Sequence, residues 1–190
     1  MKQIKFGIAG YGKMGRIREE SILNSSNAKL MSIYEVSDYS HNDKSTVQCN
    51  SFDELLKTDI DAVIVSAYVS VAADYAIRAL NSGKHVFCEK PPSMTFKEMQ
   101  EIIKAEKKAN KVLKYGFNHR FHHSVMEAKK VIDSGDLGKI LWMRGVYGKA
   151  GSIDFNDNWR NYKNYSGGGI LMDQGIHMLD LFRYFSDSEF

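Results

Sequence analysis

The chain has 190 residues, enough for one ordinary domain or for one domain and part of another. Hydrophobic residues make up 43% and charged residues 26%, the balance of a globular protein with a buried core and not of a disordered tail. The formal net charge of +3 is too small and too scattered to argue for a nucleic-acid-binding surface, and no apolar stretch approaches membrane-spanning length.

Strand-like and helix-like segments alternate from the amino terminus, the pattern of βαβ units around a parallel sheet. Residues 5–9 form a short strand, and so early a strand leaves no room for a signal peptide; a reducing cytoplasm is the default setting. A helix follows over 14–23 and a strand over 29–34. Ser51 with Glu54 reads as a capping box opening a short helix that ends near Thr58. Residues 61–67 are the apolar, β-branched run of a strand buried on both faces. Ala72, Ala73, Ala76, Ile77 and Leu80 then repeat at helical spacing until Gly83 stops the helix. Residues 85–88 are the next strand, and Cys88 ends it as a core residue. With Cys49 it makes two cysteines without CxxC spacing, so neither a disulfide framework nor a zinc site is expected. Thr95 and Glu98 cap a helix with Met99, Ile102, Ile103 and Ala109 on its apolar side and a solvated charged face over 97–108. A strand over 112–117 closes a first domain, residues 1–117.

The pattern changes in the remainder, 118–190. Ser124 and Glu127 cap a helix ending at Gly135, residues 140–147 look like a strand, 149–166 form a polar, aromatic-rich loop, and 173–185 a helix. The fold class expected is therefore α/β, a Rossmann domain followed by the start of a second domain.

Gly10-Tyr11-Gly12-Lys13-Met14-Gly15 is G-x-G-x-x-G between the first strand and the first helix. The first glycine permits a tight turn, the second lets backbone approach a pyrophosphate, and the third allows close helix–strand packing; the helix N-terminus offers free N–H groups to the phosphates. Glu35 ends the second strand, twenty residues past Gly15, where a carboxylate accepts hydrogen bonds from the adenosine ribose. A carboxylate there repels a 2′-phosphate, and Val36-Ser37 bring no arginine to bind one. NAD is the favoured cofactor, with Lys44 near enough in sequence to leave NADP open.

Two further constellations carry chemistry. Cys88-Glu89-Lys90-Pro91-Pro92 lies at the carboxyl end of a central strand, where ligands bind in open α/β sheets, and Pro91 is a candidate for a cis bond. On position alone Lys90 reads equally as a site residue and as a surface lysine before a proline turn. Asp173 and His177 are four apart and share a helix face, with Asp180 three further on. A histidine ordered by a carboxylate is a candidate general acid/base. A metal site made by Asp173, His177 and Asp180, and a purely structural histidine, are the competing readings.

Glu89-Lys90-Pro91 after such a strand resembles the Gfo/Idh/MocA family of sugar-type oxidoreductases. The glycine loop, Gly83-Lys84-His85-Val86, Asn118-His119-Arg120-Phe121, Ile132-Asp133-Ser134-Gly135 with Gly138, Trp159-Arg160 and the run from Gly167 to His177 resemble it in the same order. The resemblance covers nearly the whole chain. It implies an NAD(P)-dependent enzyme acting on a sugar, sugar nucleotide or polyol, with an α+β open-sheet substrate domain after the Rossmann domain. Gly10, Tyr11, Gly12, Lys13, Met14, Gly15, Glu35, Glu89 and Lys90 would bind the cofactor. Lys90 would bind the reacting hydroxyl and relay its proton, His177 would be the acid/base, and Asp173 would orient substrate or histidine. Arg120, Trp159 and Arg160 would line the substrate pocket, and no metal is expected. One departure stands out: similar sequences often carry Thr-Pro-Asn and then a histidine where this chain has Ala67-Tyr68-Val69 and Ala72.

In such relatives the remaining strands of the second sheet follow the Asp-x-x-x-His helix, and association into oligomers runs through that sheet. Residues 118–190 are therefore expected to be an incomplete second domain. A cofactor-binding module or inactive fragment is the alternative to a working dehydrogenase.

Overall fold

The computed structural model describes residues 3–148 and 159–190. The chain separates into two compact units, Met1–Gly116 and Phe117–Phe190.

The first unit is a six-stranded parallel sheet, β1 (Ile4–Ala9), β2 (Ala28–Tyr34), β3 (Val47–Cys49), β4 (Ala62–Val65), β5 (His85–Cys88) and β6 (Leu113–Tyr115), in the order β3-β2-β1-β4-β5-β6. Chain order reverses between β1 and β4, and in a parallel sheet that switch point opens a crevice at the carboxyl ends of the strands. Four helices cross between strands: α1 (Lys13–Leu23), α2 (Phe52–Lys57), α3 (Val69–Asn81) and α4 (Phe96–Ala109).

Alternation along the strands builds the two core layers. Val63 and Val65 of β4 join Ala9, Phe52, Leu55, Ala72, Ala76, Leu80 and Ala105 on one face. Ile64 joins Ile8, Tyr11, Ile22, Leu30 and Ile33 on the other. The sheet is sealed on both sides, which is why β4 is buried at every position.

Local signals work as expected at α4, where Thr95 and Glu98 complete a capping box. At α2 only half of one forms. Ser51 accepts the Glu54 N–H, but the Glu54 carboxylate takes the N–H of Asn50 instead of that of Ser51. Strand β3 was not visible in the sequence, being three residues long with two of them exposed.

The second unit begins with a 3-10 turn (Asn118–Phe121) leading into α5 (His123–Asp133). The cap of α5 is His122, so Ser124 lies inside the helix; the preceding turn delivers the chain two residues earlier than a cap at Ser124 would. The strand expected over 140–147 does not form. A strand exists only through ladder bonds to a neighbour, and among the described residues this unit offers no second strand. Leu141, Trp142 and Val146 accordingly stand exposed. Of the loop expected over 149–166, residues 149–158 lie outside the described residues; the rest is a 3-10 turn (Trp159–Asn161) and a short α6 (Lys163–Ser166). The last helix is in two parts, a π-helical turn (Leu171–Gly175) running into α7 (Ile176–Ser186).

Candidate functional site

In the first unit the carboxyl ends of the strands are stitched together beyond the ladders. Gly10 N–H donates to Tyr34 O at 2.8 Å, Ser66 N–H to Ala9 O at 2.8 Å, and Glu89 N–H to Val65 O at 2.8 Å. Gly10, Glu35, Ser66 and Glu89 thereby share one edge of the sheet.

Each glycine of the loop has its own reason to lack a side chain. Gly10 has φ +91°, and a Cβ there would lie 2.5 Å from the Ala67 nitrogen. A Cβ on Gly15 would run into the Gly10 carbonyl oxygen, so helix α1 approaches the strand only because both are glycine. Gly12 differs: a Cβ on it would meet nothing within 4 Å. Open space at the second glycine, beside the N-terminus of α1, fits the approach of a dinucleotide pyrophosphate.

Ser66, which sequence reasoning did not single out, donates its hydroxyl proton to Gly10 O at 2.6 Å and fixes the turn from β4. Its only signal was its place at the end of an apolar run. Glu35 accepts the Tyr11 N–H at 2.5 Å with one oxygen and the Val36 and Ser37 N–H groups at 2.8 and 3.1 Å with the other. The carboxylate is thus held in place on the loop by three amides, with two oxygens in a position to accept ribose hydroxyls as well.

Tyr11 does not project into solvent. It is buried, packs against Tyr39 with ring centroids 5.3 Å apart, lies under the Arg16 guanidinium and donates its hydroxyl to Glu19. His41 Nε2 meets the other Glu19 oxygen at 2.6 Å. Burial first, and then the bond to Glu19, push the Tyr11 phenol up to about 12. The segment after β2 is thereby folded back against the glycine loop, a contact invisible in the sequence because its members lie up to thirty positions apart.

Glu89 is engaged by Arg18 of α1, whose Nε and Nη2 reach one carboxylate oxygen at 2.7 and 2.5 Å while the guanidinium covers the Phe87 ring. Gly116 leaves the room: a Cβ there would lie 2.7 Å from the other Glu89 oxygen. Lys90 follows, half-buried, and the Lys90–Pro91 peptide bond is cis.

The second unit gathers the other expected residues. Asp173 pairs with Arg160 at 3.5 Å and accepts a proton from the Gln174 amide at 2.7 Å; the Arg160 guanidinium lies 4.4 Å from the Trp159 ring centroid. Asp173 sits in the π-helical turn Leu171–Gly175, and His177 in the α-helix that follows it. Arg120 is held by the buried Asp180, Nε to Oδ2 at 2.8 Å and Nη2 to Oδ1 at 2.5 Å. That pairing gives the buried Asp180 carboxylate a guanidinium partner within this unit. Among the described residues no group of three or more His, Cys, Asp or Glu side chains is arranged to hold a metal ion.

His177 is 4% exposed. Its ring is stacked on His119 at 3.8 Å and 15°, with the Phe117 ring edge-on at 6.2 Å. Tyr147 lies parallel to His119 at 5.5 Å. His119 entered the sequence reading only as part of a motif; its stacking partner lies 58 positions away (177 − 119).

Comparison with known proteins agrees with the fold. Residues 4–117 match the family model described as "Oxidoreductase family, NAD-binding Rossmann fold", and residues 125–190 match that of the "GFO/IDH/MocA C-terminal domain". The levoglucosan dehydrogenase of Pseudarthrobacter phenanthrenivorans is 38% identical over 128 residues, 66% of this chain and 33% of that protein. Among solved structures, myo-inositol 2-dehydrogenase from Lactobacillus plantarum superposes with a TM-score of 0.88 at 29% identity, covering 98% of this chain and 57% of that one. Scyllo-inositol dehydrogenase from Lactobacillus casei, with bound NAD(H) and scyllo-inositol, gives 0.85 at 27% identity over 99% of this chain and 57% of its own. The chain thus spans little more than half the length of the relatives it matches end to end.

Proposed function

Because this chain belongs to the Gfo/Idh/MocA oxidoreductase family, we propose that the protein transfers a hydride between a nicotinamide dinucleotide and a secondary alcohol carbon of a sugar, sugar nucleotide or polyol. The observation that carries the reading is the open face at Gly12 beside an anchored Glu35, on the same sheet edge that ends in Glu89 and Lys90. Relatives that act on levoglucosan and inositols supply the substrate class.

When bound, the nicotinamide supplies the hydride acceptor or donor. Gly10, Gly12 and Gly15, with Tyr11, Lys13 and Met14, hold the pyrophosphate by backbone at the start of α1. Glu35 takes the adenosine ribose and selects NAD over NADP. Glu89, fixed by Arg18, sets the direction in which the chain enters Lys90. Lys90 binds the reacting hydroxyl, and His177 takes its proton as general base or returns it as acid. Asp173, with Arg160 and Trp159, orients the substrate; Arg120 shapes the pocket through Asp180. No helix among the described residues is long and apolar enough to cross a membrane. A cytoplasmic setting, and self-association through the second unit, where Trp142 and Val146 are exposed, belong to the same proposal.

The test is a panel of polyols, sugars and sugar nucleotides presented to the chain with NAD, scored by NADH absorbance. Reduction of NAD with one member of the panel is expected. Failure to bind NADH in a calorimeter would overturn the cofactor half of the reading, and binding without turnover on any member would overturn the enzymatic half.

A further inference from the structure

The imidazole stacked on His177 belongs to His119, which the roles above leave without a task. Their ring centroids are 3.8 Å apart and their planes within 15°. Two positive charges at that distance repel strongly enough to separate their titrations into distinct steps. Burial decides which ring gives way: His177 is 4% exposed, His119 half-buried, and desolvation penalises the charged form of the deeper ring more.

We infer that His119 is a positioning residue for His177: the pair carries at most one positive charge across the neutral range, that charge resides on His119, and His177 is thereby kept neutral and oriented as a proton acceptor. The inference rests on the acid/base role proposed for His177.

The surroundings support the assignment. The His122 ring, from the turn before α5, lies 4.9 Å from that of His119. Tyr147 packs parallel to both rings and places its hydroxyl 3.5 Å from His119 Nε2. On the helix of His177 itself, Asp180 is neutralised by Arg120, and Asp173 on the preceding turn is paired with Arg160. Phe117 offers only a ring edge.

Imidazole proton–nitrogen correlation spectra of the full chain, followed from about pH 5 to about pH 8, read this directly and need neither cofactor nor substrate. His119 and His177 signals are each expected to show two steps separated by more than about one pH unit. In His119→Phe, which keeps an aromatic face and removes the charge, His177 should titrate in a single step with its midpoint raised by about one unit or more. His119→Gln should give the same rise, so either variant suffices if the other does not fold. On an identified substrate, the acid limb of kcat should move to higher pH in both variants. A single-step titration of His177 in the unmutated chain, or an unmoved midpoint in the variants, overturns the inference. A split titration in a chain that reduces no NAD would instead overturn the proposed function and leave the pair standing.

Discussion

Glu35 and Tyr11 are joined across the glycine loop, the Glu35 carboxylate accepting the Tyr11 amide proton at 2.5 Å. The residue proposed to select the cofactor is therefore also a strut of the glycine loop, and its replacement should act on both.

NAD(H) is expected to bind more tightly than NADP(H), and Glu35→Arg to narrow or reverse that preference. Glu35→Ala should weaken NADH by roughly 10-fold or more, the equivalent of about one charge-assisted hydrogen bond. Calorimetric titration with both cofactors decides it. Equal affinities in the unmutated chain would refute the role given to Glu35.

Two of the loop glycines, Gly10 and Gly12, should separate cleanly. Gly10→Ala is expected to destabilise the first unit by about 1–3 kcal/mol, because it forces a Cβ onto a residue at φ +91° against the Ala67 backbone. Gly12→Ala should melt within about 0.5–1 kcal/mol of the parent yet bind NADH poorly, since its methyl group enters only the space meant for the pyrophosphate. Thermal melts paired with affinity measurements distinguish the two. A Gly12→Ala chain with normal affinity would show that the pyrophosphate does not pass there.

Lys90→Met and His177→Ala are expected to keep NADH affinity within a few fold while hydride transfer falls by roughly 10²–10⁴-fold. Single-turnover rates on the substrate found by the panel are the measurement. Near-normal rates in either variant would remove that residue from the mechanism.

Arg120→Ala leaves the Asp180 carboxylate, 7% exposed, without its guanidinium. A loss of about 2–4 kcal/mol is expected, less than for a fully buried pair because Arg120 itself reaches solvent. Asp180→Asn with Arg120→Ala together should recover part of it. If Arg120→Ala melts like the parent and impairs only substrate binding, Arg120 belongs to the pocket and not to the framework.

Alkaline stability follows from Tyr11. Its phenol is raised from 10.0 to about 12, so folding favours the protonated form. Its contribution is fully present below pH 10 and is lost as pH rises through about 12. Denaturant midpoints should fall over that window, and Tyr11→Phe should flatten the fall. An identical decline in Tyr11→Phe would assign it to other groups, such as Tyr115, whose phenol burial also raises.

The sequence by itself determined what depends on near neighbours. Glycine spacing, the apolar run of β4, the Thr95–Glu98 box and Glu35 at a strand end are each encoded within a few residues or one βαβ unit, where backbone geometry leaves few alternatives. A strand's existence is not local, and this is why residues 140–147, with the right pattern, form none while the unpatterned β3 pairs onto β2. Side-chain partners are not local either. Only the tertiary structure decided that Glu35 holds Tyr11, that Arg18 fixes Glu89, that Asp180 claims Arg120 and that His119 lies on His177. A hydrogen bond or a ring stack is satisfied by whatever group the packed chain brings within about 3–4 Å, and sequence distance does not bear on that.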